Sequence, residues 1–271
     1  MEGHDLREGI FDYGEDYLLK LWQVASGLSE IHEFSVIHRD IKPSNIRIDQ
    51  EGVAKIFDFG LARQQGLDNK TQGAIGTPRY IAPEMLADAT INFTTAADVF
   101  SFAIASLNLL NRPLPAWNNM LPRTIPADAV ASHVPEFPDE LAQVLQRCLS
   151  DLPTDRPDMD EVCSKISRVL LHDKHSAQLV LAGQVSVIDK NRRDGFPKVV
   201  TVNTDTVVSG LRIHYDGNDF SVAENIGNVV ANNLPILAGH KLAPSCVLAF
   251  PTSAGRPYFA TFNVNQPEVF I

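Results

Sequence analysis

The stretch His38-Arg39-Asp40-Ile41-Lys42-Pro43-Ser44-Asn45 constrains this chain more than any other. Before it, Tyr17, Leu18, Leu21, Val24, Ala25, Leu28 and Ile31 recur at i, i+3, i+4 and i+7, which predicts one buried helix face over Tyr17 to Phe34. The helix must end before Val36. After it come two short apolar runs, Ile46 to Ile48 and Val53 to Phe57, separated by the turn Asp49-Gln50-Glu51-Gly52. The second run ends in Asp58-Phe59-Gly60. One tight hairpin therefore lies between Asp40 and Asp58 and can return both acids to one cleft. A helix and a hairpin give the polar loop a rigid mount.

A loop that fixes an Asp and an Asn, with a second Asp after a strand, is what phosphoryl transfer requires. One carboxylate orients the attacking hydroxyl, while the amide and the second acid can seat Mg2+ against phosphates. Further phrases follow in order: Gly76-Thr77-Pro78-Arg79-Tyr80-Ile81-Ala82-Pro83-Glu84, then Asp98-Val99-Phe100-Ser101-Phe102, then Asp155-Arg156-Pro157. Taken together, HRDIKPSN, DFG, GTPRYIAPE and these later phrases resemble the eukaryotic-type (Hanks-type) serine/threonine protein kinase family. The resemblance runs from Met1 to about Leu171 and covers the large lobe of that fold.

What the resemblance implies can be stated residue by residue. Asp40 is the base that accepts the hydroxyl proton, and Lys42 meets the transferred phosphate of ATP. Asn45 and Asp58 hold Mg2+ through oxygen, which suits a hard ion. Arg39 beside Asp40 implies regulation by phosphorylation, because a guanidinium pairs bidentately with phosphate. Thr71 is the expected regulated hydroxyl, and Thr77 shapes the substrate groove. Glu84 and Arg156 form a buried ion pair, and Asp98 hydrogen-bonds the backbone of the loop. Asp98 also lies three residues after Thr95, which predicts a capping box at the start of the apolar helix Ala96 to Leu110. His38 packs and hydrogen-bonds the loop rather than acting as a base, and Phe59 is expected in the core. One departure is Ala103, where the family usually has Gly.

The fold class expected is α+β: a mainly α-helical kinase large lobe over residues 1–174, then a small all-β, sandwich-like domain over 175–271. Charge supports that boundary. From His175 onward basic and acidic residues balance, so the net charge of −10 falls entirely on the first part. Beyond about Leu179 the apolar period changes to two, at Val185/Val187, Val200/Val202, Val207 to Ile213, Phe220/Val222, Cys246 to Phe250 and Tyr258 to Val264. Asp216-Gly217-Asn218-Asp219 reads as a turn. Residues 224–234 are expected to hold a helical turn or two, and Glu268 to Ile271 a closing strand.

A net charge of −10 argues against a nucleic-acid partner. The longest charge-free apolar stretch, Val99 to Asn111, is too short to span a bilayer, so no membrane partner is expected. Cys148, Cys163 and Cys246 show no metal-like spacing, and a reducing, cytoplasmic compartment is expected. His172, Asp173 and His175 resemble a metal spacing but read as solvated linker residues. The partners expected are a protein substrate and, for the β domain, a possible protein partner.

The opening Met1-Glu2-Gly3-His4-Asp5-Leu6 is similar to the phrase that follows the hinge between kinase lobes. No GxGxxG after a strand, no strand lysine in a VAIK-like setting and no Glu-bearing helix precede the motif set. The chain is therefore expected to carry the large lobe without the ATP-covering small lobe. That leaves an alternative, a non-catalytic kinase-like fragment or scaffold in which the β domain is a binding or regulatory module.

Overall fold

The computed structural model describes residues 3–64, 77–86, 93–113, 115–119, 121–192, 198–204, 207–252 and 255–269. The chain divides into two compact units, 1–170 and 171–270.

In the first unit, β1 (Gly3–Asp5) leads to α1 (Glu15–Glu33). Tyr17, Leu18, Leu21, Val24, Ala25 and Leu28 are buried along one side of α1, and Glu15 and Asp16 in its first turn suit the helix dipole. The helix stops at Phe34, and Ser35 turns the chain at φ 56°. Then come β2 (Val36–Ile37), the polar loop with a 3₁₀ turn at Pro43–Asn45, β3 (Ile46–Asp49), β4 (Ala54–Ile56) and β5 (Arg63–Gln64). β3 and β4 pair Ile46 with Ile56 and Ile48 with Ala54, and Gly52 closes the turn at φ 82°, a conformation that glycine adopts without a Cβ penalty. β2 pairs with β5, which sets the strand before the loop beside the strand after Asp58.

α2 (Ala96–Leu109) is buried on all sides, as its apolar sequence dictates. α3 (Ala129–His133), α4 (Asp139–Cys148) and α5 (Met159–Leu170) follow. α4 buries Leu141, Val144, Leu145 and Cys148, and α5 buries Met159, Val162, Ile166 and Leu170. The capping box expected at Thr95 does not form. Thr95 has helical backbone angles and makes no side-chain cap bond: the Asp98 N–H goes to the Thr95 carbonyl, and the Asp98 carboxylate is engaged elsewhere.

The second unit is entirely β among its described regular elements, apart from a 3₁₀ turn at Lys190–Arg192. Its strands are β6 (Ser176–Leu181), β7 (Gln184–Ile188), β8 (Lys198–Thr204), β9 (Val207–Tyr215), β10 (Phe220–Ile226), β11 (Val230–Ala231), β12 (Leu234–Pro235), β13 (Ser245–Phe250) and β14 (Tyr258–Asn265). They form a six-stranded sheet in the order β12-β11-β13-β14-β6-β7 and a three-stranded sheet in the order β10-β9-β8. Both sheets contribute to one apolar cluster, with Leu179, Leu248, Phe250 and Phe262 from the larger and Leu211, Ile213, Phe220 and Val222 from the smaller. Tyr215 stacks on Phe220 with centroids 4.5 Å apart.

Two local expectations fail here. Residues 224–234 hold the end of β10, then β11 and β12, with no helical turn. Asn228, Asn232 and Asn233 turn the chain at positive φ, and Asn225 ties its own loop through Val229 and Ile236. Of the strand expected over Glu268 to Ile271, residues 268–269 are not in a strand, since β14 ends at Asn265, and 270–271 lie outside the described residues. Among the described residues, no helix is long and apolar enough to cross a membrane.

Candidate active site

The site grows from the left-handed turn at Arg39, φ 70°. A non-glycine residue holds such an angle only under restraint. The restraint is Asp98, fully buried on α2: Oδ2 accepts the His38 N–H at 2.7 Å and Oδ1 the Arg39 N–H at 2.8 Å. His32, in the last turn of α1, places Nε2 3.0 Å from Asp98 Oδ2. Replacing Asp98 by Asn would turn an NH2 group toward one of those two N–H donors. Asp98→Asn is expected to cost about 2–3 kcal/mol, measured by chemical denaturation followed through tryptophan fluorescence.

Past this turn, Asp40 is 9% exposed and both its oxygens are engaged. Oδ2 accepts from Lys42 Nζ at 2.6 Å and Asn45 Nδ2 at 3.0 Å; Oδ1 accepts from the Thr77 N–H at 3.1 Å and Oγ1 at 2.9 Å. Burial pushes the carboxyl pKa up, but the hydrogen bonds from Lys42, Thr77 and Asn45 outweigh it, and the net direction is down. Lys42 Nζ also donates to Thr77 Oγ1 at 2.8 Å.

Asp58 arrives by a different route. The Phe57 N–H donates to the Asn45 carbonyl at 3.0 Å, extending the β3–β4 pairing, so Asp58 follows the residue opposite Asn45. Asp58 is exposed, left-handed at φ 63°, and accepts from the Gly60 N–H at 3.3 Å. His38 Nε2 lies 3.0 Å from the Phe57 carbonyl, and its ring meets Phe59 edge-on at 5.0 Å. Phe59 is 47% exposed, which corrects the expectation that it packs in the core: the side chain covers His38 from one side and faces solvent on the other.

Asn45 and Asp58 both offer oxygen, the donor type that a hard cation takes. The Asn45 nitrogen is spent on the Asp40 carbonyl and carboxylate, at 2.8 and 3.0 Å, which leaves its oxygen as the donor. Among the described residues no three His, Cys, Asp or Glu side chains gather as metal ligands. Two oxygen donors suit Mg2+, which keeps waters and phosphate oxygens.

The remaining expected residues lie around this cluster. Glu84 and Arg156 meet through two parallel bonds of 2.7 and 2.8 Å. Arg39 donates Nε to the Leu61 carbonyl at 2.5 Å and lies over the Phe93 ring. Burial and then the neighbouring Arg63 lower the Arg39 pKa, while the Asp98 carboxylate opposes the shift. Thr71 lies outside the described residues. His172 faces Asp173 and Asn218, all within the second unit.

Sequence reading missed His32, Arg63 and Arg123. Arg123 donates to the Pro78, Arg79 and Ile81 carbonyls and lies over the Phe100 ring, holding the segment after Thr77. All three act across long sequence separations, and no local spacing marks them.

Residues 9–166 match the protein kinase domain family. The chain belongs to that family. Among its relatives, this kinase chain is 32% identical over 180 residues to a cysteine-rich receptor-like protein kinase of Arabidopsis thaliana, covering 58% of the chain and 27% of the relative. It is 31% identical over 168 residues to a serine/threonine-protein kinase of the same plant, covering 60% and 29%. A dual specificity protein kinase of Dictyostelium discoideum is 34% identical over 145 residues, covering 50% and 22%. The kinase chain thus spans less than a third of the length of each of these relatives.

Proposed function

We propose that the first unit is the large lobe of a protein kinase that transfers the γ-phosphate of ATP to a serine or threonine of a protein substrate. The observation that carries this reading is the Asp40 carboxylate, nearly buried yet kept ionised by Lys42, Asn45 and Thr77. Asp40 takes the proton of the acceptor hydroxyl as its oxygen bonds to phosphorus and the bond to the departing diphosphate breaks. The Lys42 ammonium offsets charge on the phosphoryl oxygens. Asn45 and Asp58 would hold Mg2+, which when bound neutralises phosphate charge. Arg39 and Arg63 would receive a regulatory phosphate, with Thr71 as its acceptor; mapping of active material that finds Thr71 unmodified removes that site.

A nucleotide needs a second wall, and transfer requires a glycine-rich loop and a strand lysine working with these residues. The test is transfer of labelled γ-phosphate by the product of the complete reading frame containing these residues. Transfer that is lost in Asp40→Asn supports the reading, and transfer surviving that change sinks it. The 271-residue chain alone is expected to be silent, and robust transfer by it would overturn the need for a second wall. Three unpaired thiols fit a cytoplasmic location. A second reading, non-catalytic binding, draws on the second unit having a core of its own. Deletion of residues 175–271 that leaves both partner binding and transfer unchanged would remove it.

A further inference from the structure

Glu8 lies between β1 and α1, and no motif marks it. Its carboxylate meets Arg79 Nη1 through both oxygens, at 2.8 and 2.7 Å, and accepts the Tyr80 hydroxyl at 2.6 Å. Arg79 and Tyr80 follow Thr77, whose N–H and hydroxyl both donate to Asp40 Oδ1. One distant carboxylate therefore grips the side chains of the segment that touches the proposed base. Arg123 and the Ser101 hydroxyl hold this segment through its backbone carbonyls, and Lys42 meets the Thr77 hydroxyl. Tyr80 is buried, and burial with Glu8 raises its pKa, so the phenol remains a donor at Glu8. The Arg79 and Glu8 side chains stay 39% and 41% exposed, so the pair opens to solvent beside the Thr77 contact.

We propose that Glu8 is a positioning residue for the protein substrate: by locking Arg79 and Tyr80 it presents the backbone from Thr77 to Tyr80 as one fixed, charge-neutral edge to the acceptor peptide beside Asp40. The inference rests on the phosphotransfer reading above. Freed of Glu8, Arg79 becomes an unpaired cation at that edge and favours acidic residues near the acceptor hydroxyl.

Two measurements separate the clamp from the reading. Trypsin cleavage after Arg79 in the 271-residue chain needs no activity. Glu8→Gln is expected to speed it several-fold with an unchanged denaturation midpoint. In the transfer-competent protein, with myelin basic protein as acceptor, Glu8→Gln should raise KM about three- to fivefold and leave kcat within about twofold. With synthetic peptides it should shift preference toward acidic neighbours by a similar factor. The exchange variant Glu8→Arg with Arg79→Glu should restore KM. Unchanged cleavage overturns the clamp. Faster cleavage with unchanged KM leaves Glu8 a structural residue and overturns the positioning role. If the unaltered product of the complete reading frame transfers no phosphate, the phosphotransfer reading falls and the substrate role with it, while the protease result still decides whether the clamp exists.

Discussion

Asp40→Asn is expected to lower the phosphotransfer rate by about 10²–10⁴-fold, the range lost with a general base, while the chain stays folded. Each Asp40 oxygen accepts two hydrogen bonds, from Lys42 and Asn45 on one side and from Thr77 on the other. An amide would turn an NH2 toward one of these donor pairs, which costs about 1–3 kcal/mol and leaves the fold standing. The loss of rate thus comes from the missing base. The pH dependence follows in sign. The Asp40 pKa is depressed in the folded chain, so its carboxylate is charged throughout the neutral range. Its share of stability is present above the ordinary carboxylate pKa and fades as pH falls through the depressed value. Any limb in the rate between about pH 5 and 8 must come from another group. Rates for wild type and Asp40→Asn across pH 5–9 check both points, and a wild-type limb near neutrality that disappears with Asp40→Asn would contradict them.

Arg156→Met should cost roughly 3–5 kcal/mol of stability in the first unit. The Arg156 side chain is fully buried. Its guanidinium donates to both Glu84 oxygens and to the carbonyls of Ser150, Ala96 and Asp151, and it lies 5.0 Å over the Phe100 ring. Methionine fills part of the space but leaves a carboxylate and several carbonyls without donors. Lysine should not rescue it, because an ammonium cannot reproduce the planar fork. The double variant Glu84→Gln with Arg156→Met should lose less than the sum of the single variants. The two tryptophans, Trp22 and Trp117, both belong to the first unit, so fluorescence during denaturation reports that unit alone. A loss under about 1 kcal/mol would show that the ion pair carries little of the fold.

Some of this architecture was legible in the sequence for a physical reason. Asp40, Lys42 and Asn45 lie within one short loop, and the run from Ile46 to Phe57 alternates and turns as a hairpin must, so the register that carries Asp58 back follows from local pattern. The apolar spacing of α1 and the period-two runs of the second unit are likewise local signals. What could not be read is contact between distant side chains. Asp98 had a plausible local partner in Thr95, yet its carboxylate goes to the His38 and Arg39 N–H groups, because two buried donors on a strained turn need an acceptor more than a half-buried helix start does. Glu8 and Arg123 act on Pro78 to Ile81 from far along the chain, and no periodicity records that. The short strands β11 and β12 escaped notice because asparagine-rich turns, and not alternation, define them.

The two positive-φ residues of the site, Arg39 and Asp58, have a consequence for how firmly the acids are aimed. Left-handed backbone costs an L-residue about 1–2 kcal/mol, which glycine would avoid. Glycine at position 39 would relax the bend and let the neighbouring carboxylate sample many directions. The chain instead keeps a side chain there and lets α2 hold the bend shut, so the amide hydrogens of His38 and Arg39 should be among the slowest in the protein to trade with deuterium.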